Sequence, residues 1–187
     1  MRQLLSRAWR QSAQVAQMVI EEVAEIGIAT ESLVDYPELV TLPCYEWQHV
    51  LVIPAAHPLA KKNDITLLDL AEKPIITYHP SFTGRTRIDK AFAAKQLSPR
   101  IALEAIDSDV IKTYVRLGLG VGIVAEMAVR ETLDDDLVVR PAGHLFGQNV
   151  ARIAFKRHAY LRNFVYDFAS MLSEKLDKPM ILKALES

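Results

Sequence analysis

The stretch DSDVIKTYVRLGLGVGIVAE, residues 107–126, predicts a helix, a glycine turn and a strand. Asp107 and Ser108 can accept hydrogen bonds from the free N–H groups of a helix start. Gly118 and Gly120 indicate the end of that helix, because glycine enters left-handed conformations at little cost. The apolar run at 121–124 fits a buried strand. Between Ser108 and Gly118, apolar residues recur at helical spacing. This spacing predicts a helix with one buried face, made of Val110, Ile111, Tyr114, Val115 and Leu117.

Helical and extended patterns alternate on both sides of this stretch. The patterns predict helices over 12–22, 86–95, 128–132 and 160–176, and strands over 24–29, 39–43, 46–54, 75–78, 99–105, 137–139 and 150–155. This alternation is typical of the α/β class with mainly parallel sheets. The last of these helices predicts a buried face made of Leu161, Phe164, Val165, Phe168, Met171 and Leu172.

Composition excludes several classes of protein. Half of the 187 residues are hydrophobic and the formal net charge is -1, which argues for a globular chain that does not itself hold a nucleic-acid backbone. A single cysteine, Cys44, rules out an internal disulfide and a multi-cysteine metal site. No apolar run reaches the roughly 18 residues of a membrane span, and the first residues lack a signal-peptide pattern. A cytoplasmic location without membrane contact is therefore the default expectation.

Two places carry residues suited to binding a ligand. Thr30 follows a predicted strand directly, where open α/β sheets bind ligands, although a simple Thr/Ser turn is the alternative. The stretch HPSFTGRTRID, residues 79–89, combines hydroxyls, a glycine and two arginines at a helix start, which suits an anion. It is not a P-loop, and a polar cap with surface arginines is the alternative.

Nothing in the sequence predicts catalysis, a cofactor or a metal site. No GxSxG motif occurs, and Cys44 has no base placed near it in sequence. The five histidines lack metal-ligand spacing, and Asp134, Asp135 and Asp136 are expected to form a solvated acidic turn. We therefore expect a protein that is not an enzyme.

Four segments together resemble one family. IGIATESL (26–33), LPCYEWQHVLVIPAAHPLA (42–60), ITYHPSFTGRTRID (76–89) and DSDVIKTYVRLGLGVGIVAEMAV (107–129) resemble the effector-binding domain of LysR-type transcriptional regulators. GLGVGIV is common across the family, whereas FTGR together with DSDVIKTYVRLGLGVG resembles the CysB and Cbl subgroup, which controls sulfur assimilation.

The resemblance implies two Rossmann-like subdomains with a ligand cleft between them, as in type II periplasmic binding proteins. The first would take residues 1–45 and 150–176, the second 46–147, and 177–187 would form a tail. Thr30 and Thr83 match the family's anion-contacting threonines, and Trp47 matches a tryptophan at the subdomain junction. Gly84 and Arg85 adjoin the site by motif only.

The implied function is effector sensing for a regulator of cysteine biosynthesis, with sulfate or an acetylserine-type inducer as ligand. The domain would form a dimer or tetramer through helices near Ser12 and Ile88. DNA would be bound only by a helix-turn-helix domain that is absent from this sequence. The family's first strand and its threonine-rich loop also have no counterpart here, so weaker anion binding is expected. The alternatives are a solute-binding protein for a small anion, disfavoured by the missing export signal, and a non-functional truncated regulator.

Overall fold

The computed structural model describes residues 12–130 and 132–186; residues 1–11 and the side chains of Glu31 and Thr83 lie outside that description. The described residues form two compact units. Unit 1 comprises residues 12–46 and 149–186, and unit 2 comprises Trp47–Gln148. The chain leaves unit 1 within one long strand and returns to it near the start of another.

Seven helices and seven strands are described, joined by short 3₁₀ turns and loops. The helices are α1 (Ser12–Ile20), α2 (Leu67–Ala71), α3 (Thr83–Ala94), α4 (Ser108–Arg116), α5 (Gly143–Phe146), α6 (Asn163–Leu172) and α7 (Lys178–Glu186). The strands are β1 (Gly27–Thr30), β2 (Leu39–Pro54), β3 (Pro74–Tyr78), β4 (Arg100–Ala105), β5 (Val121–Ala125), β6 (Leu137–Pro141) and β7 (Gln148–Lys156). None of the described helices is long and apolar enough to cross a membrane.

Strand pairing is mixed, so the expectation of mainly parallel sheets is wrong. In unit 2, β3 runs parallel to β4 and β5, whereas β2 runs antiparallel to β5 and β6. In unit 1, β1 and β7 are antiparallel. Alternating helices and strands do not determine strand direction, because a strand such as β2 can insert beside β5, far along the chain.

The stretch 107–126 folds as a helix, a turn and a strand, as predicted. The Asp107 carboxylate accepts hydrogen bonds from the Asp109 N–H at 2.6 Å and the Val110 N–H at 3.4 Å, and so caps α4. Gly118 ends the helix region with a φ of 77°, a left-handed conformation that glycine tolerates best. Gly120 has a different role, since a Cβ there would lie 2.3 Å from the Pro74 carbonyl oxygen.

The buried face of α4 is narrower than predicted. Ile111 and Val115 are fully buried, but Val110 and Leu117 are exposed. Lys112 is buried in their place, because its ammonium bonds to Asp134 at 2.8 Å. Asp134 therefore does not lie in a solvated turn as expected; it is buried and paired.

The C-terminal segment differs most from its prediction. The single helix expected over 160–176 is instead α6, which ends at Leu172, and α7 follows it. Three residues of the predicted buried face, Phe164, Phe168 and Met171, are exposed. The apolar side chains of α6 itself point to most sides of the helix. Spacing alone therefore could not select the buried face formed by Val165 and Ala169.

Two further local predictions need correction. The extended segments expected at 39–43 and 46–54 are one continuous strand, β2. The short helix expected over 128–132 is wrong: Glu126–Ala128 forms a 3₁₀ turn, and Val129 after it is extended. Each unit nevertheless has its own apolar core, with Phe92 buried in unit 2 and Phe155 in unit 1.

Candidate functional site

The N-terminus of α3 is the feature of unit 2 best suited to bind an anion. Thr83 is the first of its 12 residues, and the preceding Phe82 supplies no side-chain cap. The first turn contains no acidic residue. The positive end of the helix dipole is therefore not offset by a carboxylate of its own first turn, which favours a negatively charged ligand.

Gly84 brings this turn into contact with β2. A Cβ at Gly84 would lie 3.2 Å from His49 Nε2 and 3.2 Å from Trp47 Cη2. Since such distances are shorter than usual Cβ contacts, only a glycine fits without moving these rings. Gly84 therefore allows the helix start to rest directly on Trp47 and His49.

His49 is a buried, uncharged ring beneath that helix start. Burial, and secondly the positive charge of Arg87, lower the pKa of His49 to about 4. Its ring stands edge-on to those of Trp47 and Phe146, with centroids 5.1 Å and 5.6 Å away. Trp47 and His49 thus form an uncharged aromatic floor beneath the helix start at neutral pH.

The Arg85 side chain is engaged elsewhere. Its guanidinium donates hydrogen bonds to Asp89 at 2.7 Å, to Glu104 at 2.7 Å and to the Tyr78 carbonyl oxygen at 2.8 Å. Burial by itself would lower the pKa of Arg85, but these two carboxylates raise it, so the group stays charged. Arg85 therefore fastens α3 to β3 and β4.

Thr30 lies in unit 1, at the end of β1. It precedes a 3₁₀ turn at Glu31–Asp35, and its hydroxyl lies 3.4 Å from that of Ser12. Ser32 follows two residues later; its hydroxyl oxygen is buried and has no hydrogen-bond partner within the described part of the chain. This end of β1 therefore places the Thr30 and Ser12 hydroxyls side by side, with the buried Ser32 hydroxyl two residues later in the chain.

The structure brings together some of the residues singled out from the sequence. Trp47 and Gly84 are neighbours in unit 2, whereas Arg85 turns from them towards carboxylates. The Thr83 side chain lies outside the description, and Thr30 belongs to unit 1. His49 escaped the prediction, although its position two residues after Trp47 on a strand places both rings on one face.

Metal or thiol chemistry finds no support in the described residues. They contain no group of three or more histidine, cysteine or acidic side chains arranged to hold a metal ion. Cys44 is buried, and that burial raises the pKa of its thiol, which disfavours the nucleophilic thiolate.

Comparison with a solved structure shows the class of domain to which this fold belongs. A solved cofactor-binding domain, that of the Cbl transcriptional regulator, is 40% identical with a TM-score of 0.87, covering 95% of this chain and 78% of its own. Such domains have the type II periplasmic-binding-protein-like fold. Residues 8–177 match the family described as the LysR substrate binding domain. The chain belongs to that family.

Two curated relatives narrow the subgroup. The HTH-type transcriptional regulator CysB of Burkholderia cenocepacia is 54% identical over 173 residues, which cover 92% of this chain and 55% of CysB. SsuR of the same organism, also named as an HTH-type transcriptional regulator, is 45% identical, with 90% of this chain and 54% of SsuR covered. The chain therefore spans about half the length of these relatives. It is an effector-binding domain of the CysB, Cbl and SsuR type.

Proposed function

We propose that this domain senses a small anion or an acetylserine-type inducer for a regulator of sulfur assimilation and cysteine biosynthesis. The observation that carries the proposal is the α3 N-terminus, which has neither an acidic residue nor a side-chain cap and rests on a neutral floor. Sulfate is the anion that the family resemblance favours. Backbone N–H groups and hydroxyls can hold it without a full countercharge.

The proposed ligand contacts of unit 2 are Thr83 and Gly84 at the start of α3. The proposed ligand contact of unit 1 is Thr30 at the end of β1. Thr83 follows Phe82 directly, so its backbone N–H belongs to the first turn of the helix. Trp47 forms part of the floor under Gly84. Arg85 contributes by holding α3 in place, because its hydrogen bonds to the Tyr78 carbonyl oxygen and to Glu104 join the helix to β3 and β4.

A transport protein for a small anion is the second candidate. The type of fold supports it equally, but the similar curated proteins are named as transcriptional regulators. DNA enters the proposal only through a helix-turn-helix domain, the feature from which those relatives take their designation. We propose in addition that the domain associates as a dimer or tetramer, which sedimentation of the purified chain would measure.

Isothermal titration of the chain with sodium sulfate and with O-acetylserine tests the proposed ligand, with sodium chloride as the reference anion. Loss of one hydrogen bond to a charged ligand costs about 1.5–3 kcal/mol, so Thr83→Ala and Thr30→Ala should each weaken binding by roughly tenfold or more. Thr113→Ala is the matched control, because among the described residues that hydroxyl donates to the Asp109 carbonyl oxygen within α4.

Equal binding by the unmodified chain, Thr83→Ala and Thr30→Ala would place the ligand elsewhere. Absence of binding of both sulfate and O-acetylserine to the unmodified chain would contradict the proposed effector class and favour a non-functional fragment.

A further inference from the structure

Three aromatic rings form a continuous row through unit 2. The His49 ring stands between Trp47 and Phe146, with interplanar angles of 63° and 79°. Trp47 is the first residue of unit 2, and Phe146 lies two residues before its last, Gln148. His49 therefore connects the place where the chain enters unit 2 with the place where it leaves.

The same histidine supports the start of α3. Its Nε2 and Cε1 atoms lie 3.2 Å and 3.8 Å from the position that a Cβ of Gly84 would take. Because His49 is fully buried and close-packed, it cannot absorb a movement of this turn without moving a neighbour. A displacement of the turn is therefore passed on to the rings beside it.

The segments on either side of this row have further contacts within unit 2. Gln48 lies between Trp47 and His49 in the chain. Its N–H donates a hydrogen bond of 3.1 Å to the Glu126 carboxylate. After Phe146, Gly147 adopts a φ of 76°, and a Cβ there would lie 3.6 Å from Arg87 Nη1. Arg87 belongs to α3, so the helix also approaches the second connection directly.

We propose that His49 is a positioning residue that couples occupancy of the α3 N-terminus to the two chain connections at Trp47 and Phe146. The inference rests on the proposed function, since it requires an anion at α3. It assigns His49 no contact with the ligand. Signals of this kind travel through packed side chains that shift between discrete arrangements.

Hydrogen exchange with and without sodium sulfate separates binding from coupling. In the unmodified chain, sulfate should slow exchange at the amides of residues 83–86 and also change exchange at residues 47–48 and 146–148. In His49→Ala the change at 83–86 should persist, whereas the change at 146–148 should fall at least about threefold, because the packed connection is lost. His49→Phe should restore it, since the ring edges towards Trp47 and Phe146 are kept.

His57→Ala is the control, because within the described residues the His57 ring makes a local hydrogen bond in the same unit, accepted from the Leu59 N–H. If His49→Ala does not fold, His49→Leu and Phe146→Leu supply the same comparison from a nearly filled core. A full change at 146–148 in these variants overturns the coupling role of His49 but not the proposed function. The same holds if sulfate changes exchange at 83–86 of the unmodified chain but not at 47–48 or 146–148. No change at 83–86 in the unmodified chain overturns the proposed sulfate site at the α3 N-terminus and this inference together.

Discussion

The Lys112 ammonium and the Asp134 carboxylate lie 2.8 Å apart inside unit 2, with side chains 5% and 2% exposed. Lys112 also donates to the Ala128 carbonyl oxygen and pairs with Asp109, while Asp134 accepts from the Arg130 N–H and from Arg116. This buried pair ties α4 to the segment that precedes β6. Its polar atoms are satisfied, which is the condition under which a buried ion pair can be maintained.

Removal of one partner should therefore be costly. Asp134→Ala leaves a buried ammonium without its principal carboxylate, and we expect a loss of about 3 kcal/mol in the free energy of unfolding. Urea denaturation monitored by circular dichroism measures this loss in the free energy of unfolding. The matched control is Asp136→Ala, which breaks a more exposed pair with Arg116 and should cost less than about 1 kcal/mol. Equal losses for the two variants would contradict the structural role of the buried pair.

The same carboxylate predicts a pH dependence of stability. Burial by itself would raise the pKa of Asp134, but the Arg130 N–H, Lys112 and Arg116 together lower it from 3.8 to about 2. A lowered pKa means that the folded state favours the ionised form, so this contribution to stability is present above pH 3.8 and lost as the pH falls through 2.

We therefore expect the stability difference between the unmodified chain and Asp134→Asn to be constant near neutral pH and to shrink between pH 4 and pH 2. Urea denaturation at a series of pH values measures that difference. The Asp69 carboxylate also has a pKa lowered to about 2, first by its hydrogen bond from Lys62, and Asp69→Asn serves as the comparison at a less buried position. A difference that grows on acidification would contradict the assigned sign.

Two glycines of the stretch 107–126 should respond differently to substitution by alanine. Gly120→Ala places a Cβ 2.3 Å from the backbone oxygen of Pro74, which a side-chain rotation cannot relieve, so a loss of about 3 kcal/mol is expected. Gly118→Ala meets no atom within 4 Å and bears only the strain of a φ of 77°, about 1 kcal/mol. Thermal unfolding ranks the two variants, and a more stable Gly120→Ala would refute the close approach.

The orientation of α6 can be tested by a pair of alanine substitutions. Val165 is fully buried, and Val165→Ala should cost about 2 kcal/mol. Met171 is 85% exposed, so Met171→Ala should change the free energy of unfolding by less than about 0.5 kcal/mol. Denaturant midpoints of the two variants measure this. A large loss for Met171→Ala together with a small one for Val165→Ala would mean that the helix is rotated towards the face first predicted.

Local chemistry made part of the site predictable. The sequence indicates Thr83 and Gly84 because hydroxyl and glycine residues at a helix start suit an anion, and because Thr83 matches a threonine of the family. The structure adds that Gly84 meets Trp47, a residue 37 positions earlier. Arg85 and Arg87 are two positions apart in the motif, and Arg85 is held by Asp89 and Glu104. Asp89 lies four positions along the same helix, whereas Glu104 lies on β4, and no local pattern predicts that second contact.

The sequence by itself determined the order of the strands, the cap at Asp107, the glycine turn at Gly118 and the resemblance to LysR-type effector-binding domains. These features depend on residues a few positions apart, whose propensities act locally. Only the tertiary structure decided the direction of β2, the buried face of α6, the pairing of Lys112 with Asp134 and the place of His49 beneath Gly84. Each depends on side chains that meet only when distant segments pack, and packing selects among arrangements that local pattern leaves equal.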